Sequence, residues 1–314
     1  MTIQNDTKSI INQLNSRIRG RSNITELSLA CLLSKGHLLL EGPPGTGKTV
    51  LAKALAQIIG GVFSRIQMTS DMMPSDVTGV LRLNPVKNDF EFRQGPIFSN
   101  VVLADELNRA TPKTQGSLLE AMEEATVSVD GKTYDLPNPF FVIATQNPNE
   151  HQGVYPLAES QLDRFSMKLD FGYLKQQEEL EIYQNPETYL QSNKASISSP
   201  ADVDMLKKIV EYQKKSSAVH IDSTILSYIS SVIQKTREDI QVTQGVSVRG
   251  GIHWINVSKA LAFVRGRDYV TPKDVSDVAI PCLSHRLILS LDATNDALKK
   301  QSIESVLAQV ILPQ

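Results

Sequence analysis

The 314-residue chain exceeds the length at which a single hydrophobic core usually stops growing, so two domains are expected. Its apolar content of 41% and charged content of 21% exclude a disordered chain, and a net charge of −2 provides no basic field for a nucleic-acid backbone. Cys31 and Cys282 have no partner at metal-ligand spacing, no run approaches the ~20 apolar residues of a membrane span, and the opening MTIQNDTKSI lacks the apolar centre of a signal peptide, so reduced thiols and a cytoplasmic setting are expected.

In chain order, residues 1–36 read as two helices, with Ile10, Ile11, Leu14 and Ile18 at helical spacing and Leu27, Leu29, Leu32 and Leu33 following the Asn23/Thr25 start signal. Gly36 ends the second. The short apolar runs HLLLE (37–41), VVLAD (101–105) and FFVIAT (140–145) are each bounded by Gly, Pro, Asn or Asp, and read as strands buried on both faces. Helices over Lys48 to Ile59 and Lys113 to Ala125 follow the first two, as a parallel α/β sheet covered by helices requires. GVLRL and FEFRQG alternate with period two around NPVKND and form one hairpin; TVSVDGKTYDL forms another, with Asp130-Gly131 suited to a type I′ turn. Beyond Ala201 helices take over: Val203 to Lys215, Ile221 to Glu238, Gly250 to Val264, Pro272 to Leu287 and Ala297 to Val310. Thr271-Pro272-Lys273-Asp274 marks one helix start, with Thr as cap, Pro in the first turn and Asp facing the positive helix end. The polar stretch Gln184 to Pro200 is the expected boundary, dividing a nucleotide-binding α/β domain, 1–195, from an all-helical domain, 196–314.

The segment GPPGTGKT fits G-x-x-x-x-G-K-[ST] directly after a strand and at the start of a helix, which is the context a phosphate-binding loop needs. Its glycines Gly42, Gly45 and Gly47 let the backbone approach phosphate oxygens at a helix N-terminus, and Lys48 supplies a point charge to the β- and γ-phosphates. The nucleotide-binding set is Gly42, Pro43, Pro44, Gly45, Thr46, Gly47, Lys48, Thr49 and Val50. Thr49 offers a hydroxyl to Mg²⁺, which prefers few protein ligands together with phosphates. In VVLADE, Asp105 emerges at the carboxyl end of a buried strand, where α/β sheets bind ligands. Two successive carboxylates suit two tasks: Asp105 holds the metal, and Glu106 polarises an attacking water as general base. The strand FFVIATQNP ends in Gln146-Asn147, and the Asn147 amide is placed to sense the γ-phosphate and the lytic water. ATP and Mg²⁺ are the expected cofactors.

GPPGTGKT, the segment from VVLADELNRATPKTQGSLLEAM through FFVIATQNP to LAESQLDRF, and GVSVRG together resemble the MoxR family of AAA+ ATPases. That resemblance implies a P-loop sheet sandwiched by helices with a C-terminal helical lid, ATP hydrolysis, and assembly into a ring of six. It implies an arginine finger, Arg164 in LDRF, that reaches the next subunit, and a second sensor, Arg249, that touches nucleotide in its own subunit. The family often carries Pro where this chain has Val248, which loosens the expected start of the lid helix. The hairpin GVLRL to FEFRQG matches an insertion shared with magnesium chelatase motor subunits. A chaperone-like motor acting on a protein client, with a von Willebrand factor A domain protein as a partner, is what the family implies. The alternative is a magnesium-chelatase-like motor for metal insertion. A nucleic-acid motor is disfavoured by the charge balance, and a non-hydrolysing switch by the presence of Glu106, Asn147 and Arg164.

Overall fold

Two helices, α1 (Ile3–Arg17) and α2 (Ser22–Leu33), lead into strand β1 (Leu38–Glu41) in a computed structural model that describes residues 3–147, 153–184, 202–290 and 295–312. Lys35 leaves α2 in the left-handed region, and Gly36 closes the turn by donating its N–H to the Cys31 carbonyl at 3.0 Å. After β1 come α3 (Lys48–Ile58), β2 (Phe63–Gln67), the single turn α4 (Pro74–Thr78), and the hairpin of β3 (Gly79–Asn84) with β4 (Asp89–Gln94). Strand β5 (Val101–Asp105) returns to the sheet. It is followed by α5 (Pro112–Glu124), a second hairpin of β6 (Thr126–Val129) with β7 (Lys132–Asp135), and β8 (Phe141–Gln146). Both residues of the Asp130-Gly131 turn have positive φ, 50° and 74°, as a type I′ turn demands. The short helix α6 (Glu159–Leu162), strand β9 (Met167–Asp170) and helix α7 (Gln176–Gln184) complete this part.

The five sheet strands run parallel in the order β2-β5-β8-β1-β9. The three apolar runs of the sequence are the three central strands, and their side chains divide by period two between two cores. Leu38, Leu40, Val101, Leu103, Phe141 and Ile143 face α1 to α3, whereas Leu39, Val102, Ala104, Val142 and Ala144 face α5. The edge strands β2 and β9 were not expected from the sequence. FSRIQ and MKLD have one partner strand and a solvated side, so neither shows a continuous apolar run.

The helical half comprises α8 (Val203–Ser217), α9 (Ser223–Glu238), the short strand β10 (Val242–Gln244), α10 (Val248–Val264), α11 (Pro272–Leu283), β11 (Ile288–Leu289) and α12 (Asp296–Gln309). Each helix starts on a side-chain cap: Asp202, Asp222, Ser247, Thr271 and Asn295 all accept from a backbone N–H of the first turn. Ser247 compensates for the absence of proline at Val248, because its hydroxyl oxygen accepts from Gly250 N at 2.9 Å and sets the start of α10. Helix α11 stops four residues before the expected Leu287, giving way to a 3₁₀ turn at Ser284–Arg286. The β10–β11 pair is too short to carry a sequence period. The expected boundary at 195/196 lies outside the described residues. The larger core is continuous from Leu29 and Leu32 of α2 to Trp254 and Leu261 of α10, so the first two helices share their packing with the helical half.

A buried ion pair fastens that half to the sheet. Arg286, whose side chain is 1% exposed, donates from Nε to Asp163 Oδ1 at 2.8 Å and from Nη2 to the Phe165 carbonyl at 2.6 Å. Ser247 Oγ donates to Asp163 Oδ2 at 3.0 Å, so one carboxylate holds both the start of α10 and the end of α11. His253 Nδ1 lies 2.9 Å from Arg286 Nη2, and burial pulls its pKa down to about 4, which leaves a neutral ring able to accept. Removing one partner of such a pair strands the other charge. Asp163→Ala is therefore expected to lower unfolding free energy by about 3 kcal/mol, read as a shift in the urea midpoint; a shift near zero would show that the joint contributes nothing.

Candidate active site

Strand β1 ends at Glu41 and the chain turns sharply through GPPGTGKT into α3. Gly42 has φ 152°, and a Cβ there would stand 2.3 Å from the Phe171 carbonyl oxygen, so only glycine fits. Gly42 N donates to the Gln146 carbonyl at 3.3 Å, which ties the loop to the end of β8. Gly47, the N-cap of α3, has φ 101°, a left-handed residue that aims the first N–H groups of the helix into the loop. Lys48 is buried, and its Nζ donates to the carbonyls of Gly42 at 2.5 Å and Pro43 at 2.9 Å. The ammonium is thus held within the cradle, at the helix end where anion binding is favoured.

At the end of β5 the two carboxylates are fixed by a residue that the sequence reading passed over. Thr145 on β8, 1% exposed, donates its hydroxyl to Asp105 Oδ1 at 2.7 Å and accepts the Glu106 N–H at 2.8 Å. Glu106 takes φ 57° and ψ 50°, a left-handed conformation that costs a non-glycine residue about 1–2 kcal/mol. Its strain has a purpose in position: the chain leaves the strand with Asp105 and Glu106 both directed to the same cleft. Glu106 Oε2 receives Gln67 Nε2 at 2.9 Å and lies 3.0 Å from Arg109 Nε. Asp105 Oδ2 pairs with Arg65 Nη2 at 2.6 Å.

One cleft of about 270 Å³ is lined by Pro44, Gly45, Gly47, Lys48, Thr49, Val50, Asp105, Glu106, Gln146 and Asn147, with Arg65 and Gln67 of β2 closing it. Most of the sequence-expected set converges there. Thr49 and Asp105 face the same space, which suits Mg²⁺ held by one or two protein oxygens beside phosphates. An adjoining cleft of about 290 Å³ shares Pro44, Gly45, Gly47 and Val50 and extends to Arg17, Arg19, Tyr173, Leu174, Ile182 and Tyr183. Its mainly apolar lining at the far side of the phosphate loop fits a nucleobase. The sequence offered little sign of these residues, since they come from the end of α1 and the segment around α7, far apart in the chain.

Arg164 and Arg249 are not in either cleft. Both bind one carboxylate on α5: Arg164 Nε is 3.2 Å from Glu123 Oε2, and Arg249 Nη2 is 2.5 Å from Glu123 Oε1. Neighbouring Met122 accepts a hydrogen bond from His37, just before β1 begins, whereas the phosphate loop follows the other end of β1. At a strand rise of about 3.3 Å per residue the two ends of β1 stand about 10 Å apart. Arg249, expected from the family resemblance to touch nucleotide in its own subunit, here pairs with Glu123 and lines neither cleft, and the Asp163 joint fixes the start of α10 beside it.

Comparison with known proteins agrees with this geometry. Residues 37–167 match the ATPase family associated with various cellular activities (AAA), and residues 234–306 match the AAA lid domain. The chain is 44% identical over 304 residues to YeaC of Bacillus subtilis, covering 96% of this chain and 93% of that protein. It is 42% identical over 308 residues to chaperone MoxR1 of Mycobacterium tuberculosis, covering 95% of this chain and 80% of that one. The crystal structure of a Cytophaga hutchinsonii protein assigned as an ATPase superimposes with a TM-score of 0.84 at 34% identity, over 99% of this chain and 96% of that chain.

Two measurements test the site. Lys48→Ala is expected to abolish tight ATP binding, whereas Glu106→Gln retains it and loses turnover, because one residue meets charge already on the bound phosphates and the other acts on the attacking water. Substantial hydrolysis by Glu106→Gln would refute its assignment as base. Thr145→Val removes one hydroxyl and leaves the Glu106 N–H and Asp105 Oδ1 short of a partner; the loss of about 2 kcal/mol corresponds to roughly 30-fold in steady-state turnover. Wild-type turnover in that variant would show that the hydroxyl does not align the two acids.

Proposed function

The chain belongs to the MoxR family of AAA+ ATPases, and we propose that it hydrolyses ATP to ADP and phosphate within a ring of six to remodel or assemble a protein client. The observation that carries this reading is the division of parts between two edges of one sheet. Lys48, Thr49, Asp105, Glu106 and Asn147 line the cleft at one edge, and Arg164 and Arg249 share Glu123 at the other. In a ring, one subunit's cleft meets its neighbour's arginine pair.

Within the cleft, the helix end and Lys48 bind the phosphates, Asn147 orients the γ-phosphate and water, and Glu106 accepts the water's proton. Thr49 and Asp105 would hold Mg²⁺, which when bound would neutralise phosphate charge. The cleft with Tyr173 and Tyr183 takes the adenosine. Two arginines on one carboxylate leave a net positive charge, which suits them to a neighbour's γ-phosphate.

The client side of the reading rests on the β3–β4 hairpin. Val86 is 93% exposed and Phe90 63% exposed near its tip, and Phe92 at its base stacks on Tyr134 of the second hairpin with ring centroids 4.2 Å apart. Two exposed apolar side chains on a braced stem suit contact with a protein surface. A protein with a von Willebrand factor A domain is the kind of partner the family implies, in the cytoplasm. No helix among the described residues is long and apolar enough to cross a membrane.

Arg164→Ala is expected to lower turnover by about 10³-fold while ATP affinity stays near normal. Mixing it with Lys48→Ala, which keeps the finger but lacks the phosphate charge, should restore activity through composite sites. Subunit exchange is verified by transfer of a labelled chain. Exchange without recovered activity would sink the shared-site reading.

A further inference from the structure

The carboxylate that a metal would need already has a cation on it. Arg65 projects from the edge strand β2, and its guanidinium donates to Asp105 Oδ2 through Nε at 3.1 Å and Nη2 at 2.6 Å. The other oxygen, Oδ1, is committed to the buried Thr145 hydroxyl at 2.7 Å. Thr145 lies on the central strand β8 and is 1% exposed, so its hydroxyl has no solvent to turn to. The side chain of Arg65 is 48% exposed and has solvent beside it, so it is the partner that is able to leave. Arg65 Nη2 also donates to Gln67 Oε1 at 2.7 Å, and Gln67 Nε2 donates to Glu106 Oε2 at 2.9 Å. One run of hydrogen bonds therefore links the two acids through β2: Asp105, Arg65, Gln67, Glu106.

We propose that Arg65 is an exchangeable counter-ion of Asp105, which the Mg²⁺ arriving with a nucleotide must displace before that carboxylate serves the metal. This rests on the nucleotide-site reading given above. A guanidinium and a divalent cation with its waters both require the cleft-facing oxygen, and Asp105 Oδ2 has room for one of them. Arginine stays protonated at all working pH, so the exchange is driven by metal and nucleotide concentration and not by pH. While Arg65 is in place it neutralises an acid in the cleft that would otherwise repel phosphate, so metal-free nucleotide meets a cationic site. Once it leaves, Gln67 loses a partner that helps to hold its amide on Glu106.

The test measures coupling between metal and nucleotide, without reference to turnover. The dissociation constant of a fluorescent ADP analogue is determined with excess Mg²⁺ and with EDTA, and their ratio gives the factor by which the metal tightens binding. For Arg65→Ala the ratio should rise about tenfold, the size expected for loss of a competing charge-assisted hydrogen bond at a half-exposed site. Arg65→Lys, which keeps a cation but not the fork, should fall between wild type and Arg65→Ala. Arg109→Ala removes a cation from the adjacent carboxylate and should change the ratio much less, which separates direct competition from a general change of field. An unchanged or smaller ratio in both Arg65 variants, with circular dichroism matching wild type, overturns the proposal. Failure of the wild-type chain to bind the analogue at all overturns the nucleotide-site reading instead.

Discussion

Parallel pairing of β5 with β8, and of β8 with β1, is the constraint from which the functional positions follow. Ala104 stands opposite Ala144, which leaves Asp105 and Thr145 side by side, and Glu41 stands opposite Gln146. A one-residue slip would exchange the two cores, since alternate side chains belong to different sides of the sheet. Burial on both faces therefore fixes the register. The register in turn brings the phosphate loop, both acids and Asn147 to the lining of one cleft.

Around the cleft, charge is balanced pair by pair. Asp105 has Arg65, Glu106 has Arg109 and Gln67, and the Lys48 ammonium rests on loop carbonyls. Such a network is inexpensive to rearrange because its cations are side chains of an edge strand and a 3₁₀ turn, whereas the acids leave a central strand. In the proposed reaction the fixed groups are those that would meet reacting atoms. The movable ones are those that a nucleotide and its metal would displace.

The sequence LDRF divides its work between adjacent residues. Asp163 turns inward to Arg286 and Ser247 and secures the helical half, while Arg164 reaches Glu123 beside Arg249. A second tie joins the strand ahead of the phosphate loop to α12: Lys168 Nζ lies 2.8 Å from Glu41 Oε2 and also pairs with Asp296. Burial raises the pKa of Glu41 against the pull of Lys168. Both ties link the helical half to segments that flank the sheet's edges, so motion of the helices would be felt at β1 and β9.

The sequence by itself determined the class of fold, the family, the three central strands, both hairpins, the helices of the C-terminal half and the phosphate loop with its two acids. These are local signals: apolar runs buried on two faces, capping residues, a turn dipeptide and a glycine pattern whose spacing is set by the backbone it must shape. The tertiary structure alone decided the edge strands, because FSRIQ and MKLD have a solvated side and no clear period. It also decided the positions of Arg65 and Gln67, which lie in no motif, and of Thr145, which register sets beside Asp105 and Glu106. It also placed Arg249 on Glu123 of α5, outside both clefts. A motif reports which residue is an arginine at a helix start; where that helix is docked depends on Asp163, Ser247 and Arg286, which meet across 84 to 123 residues of chain.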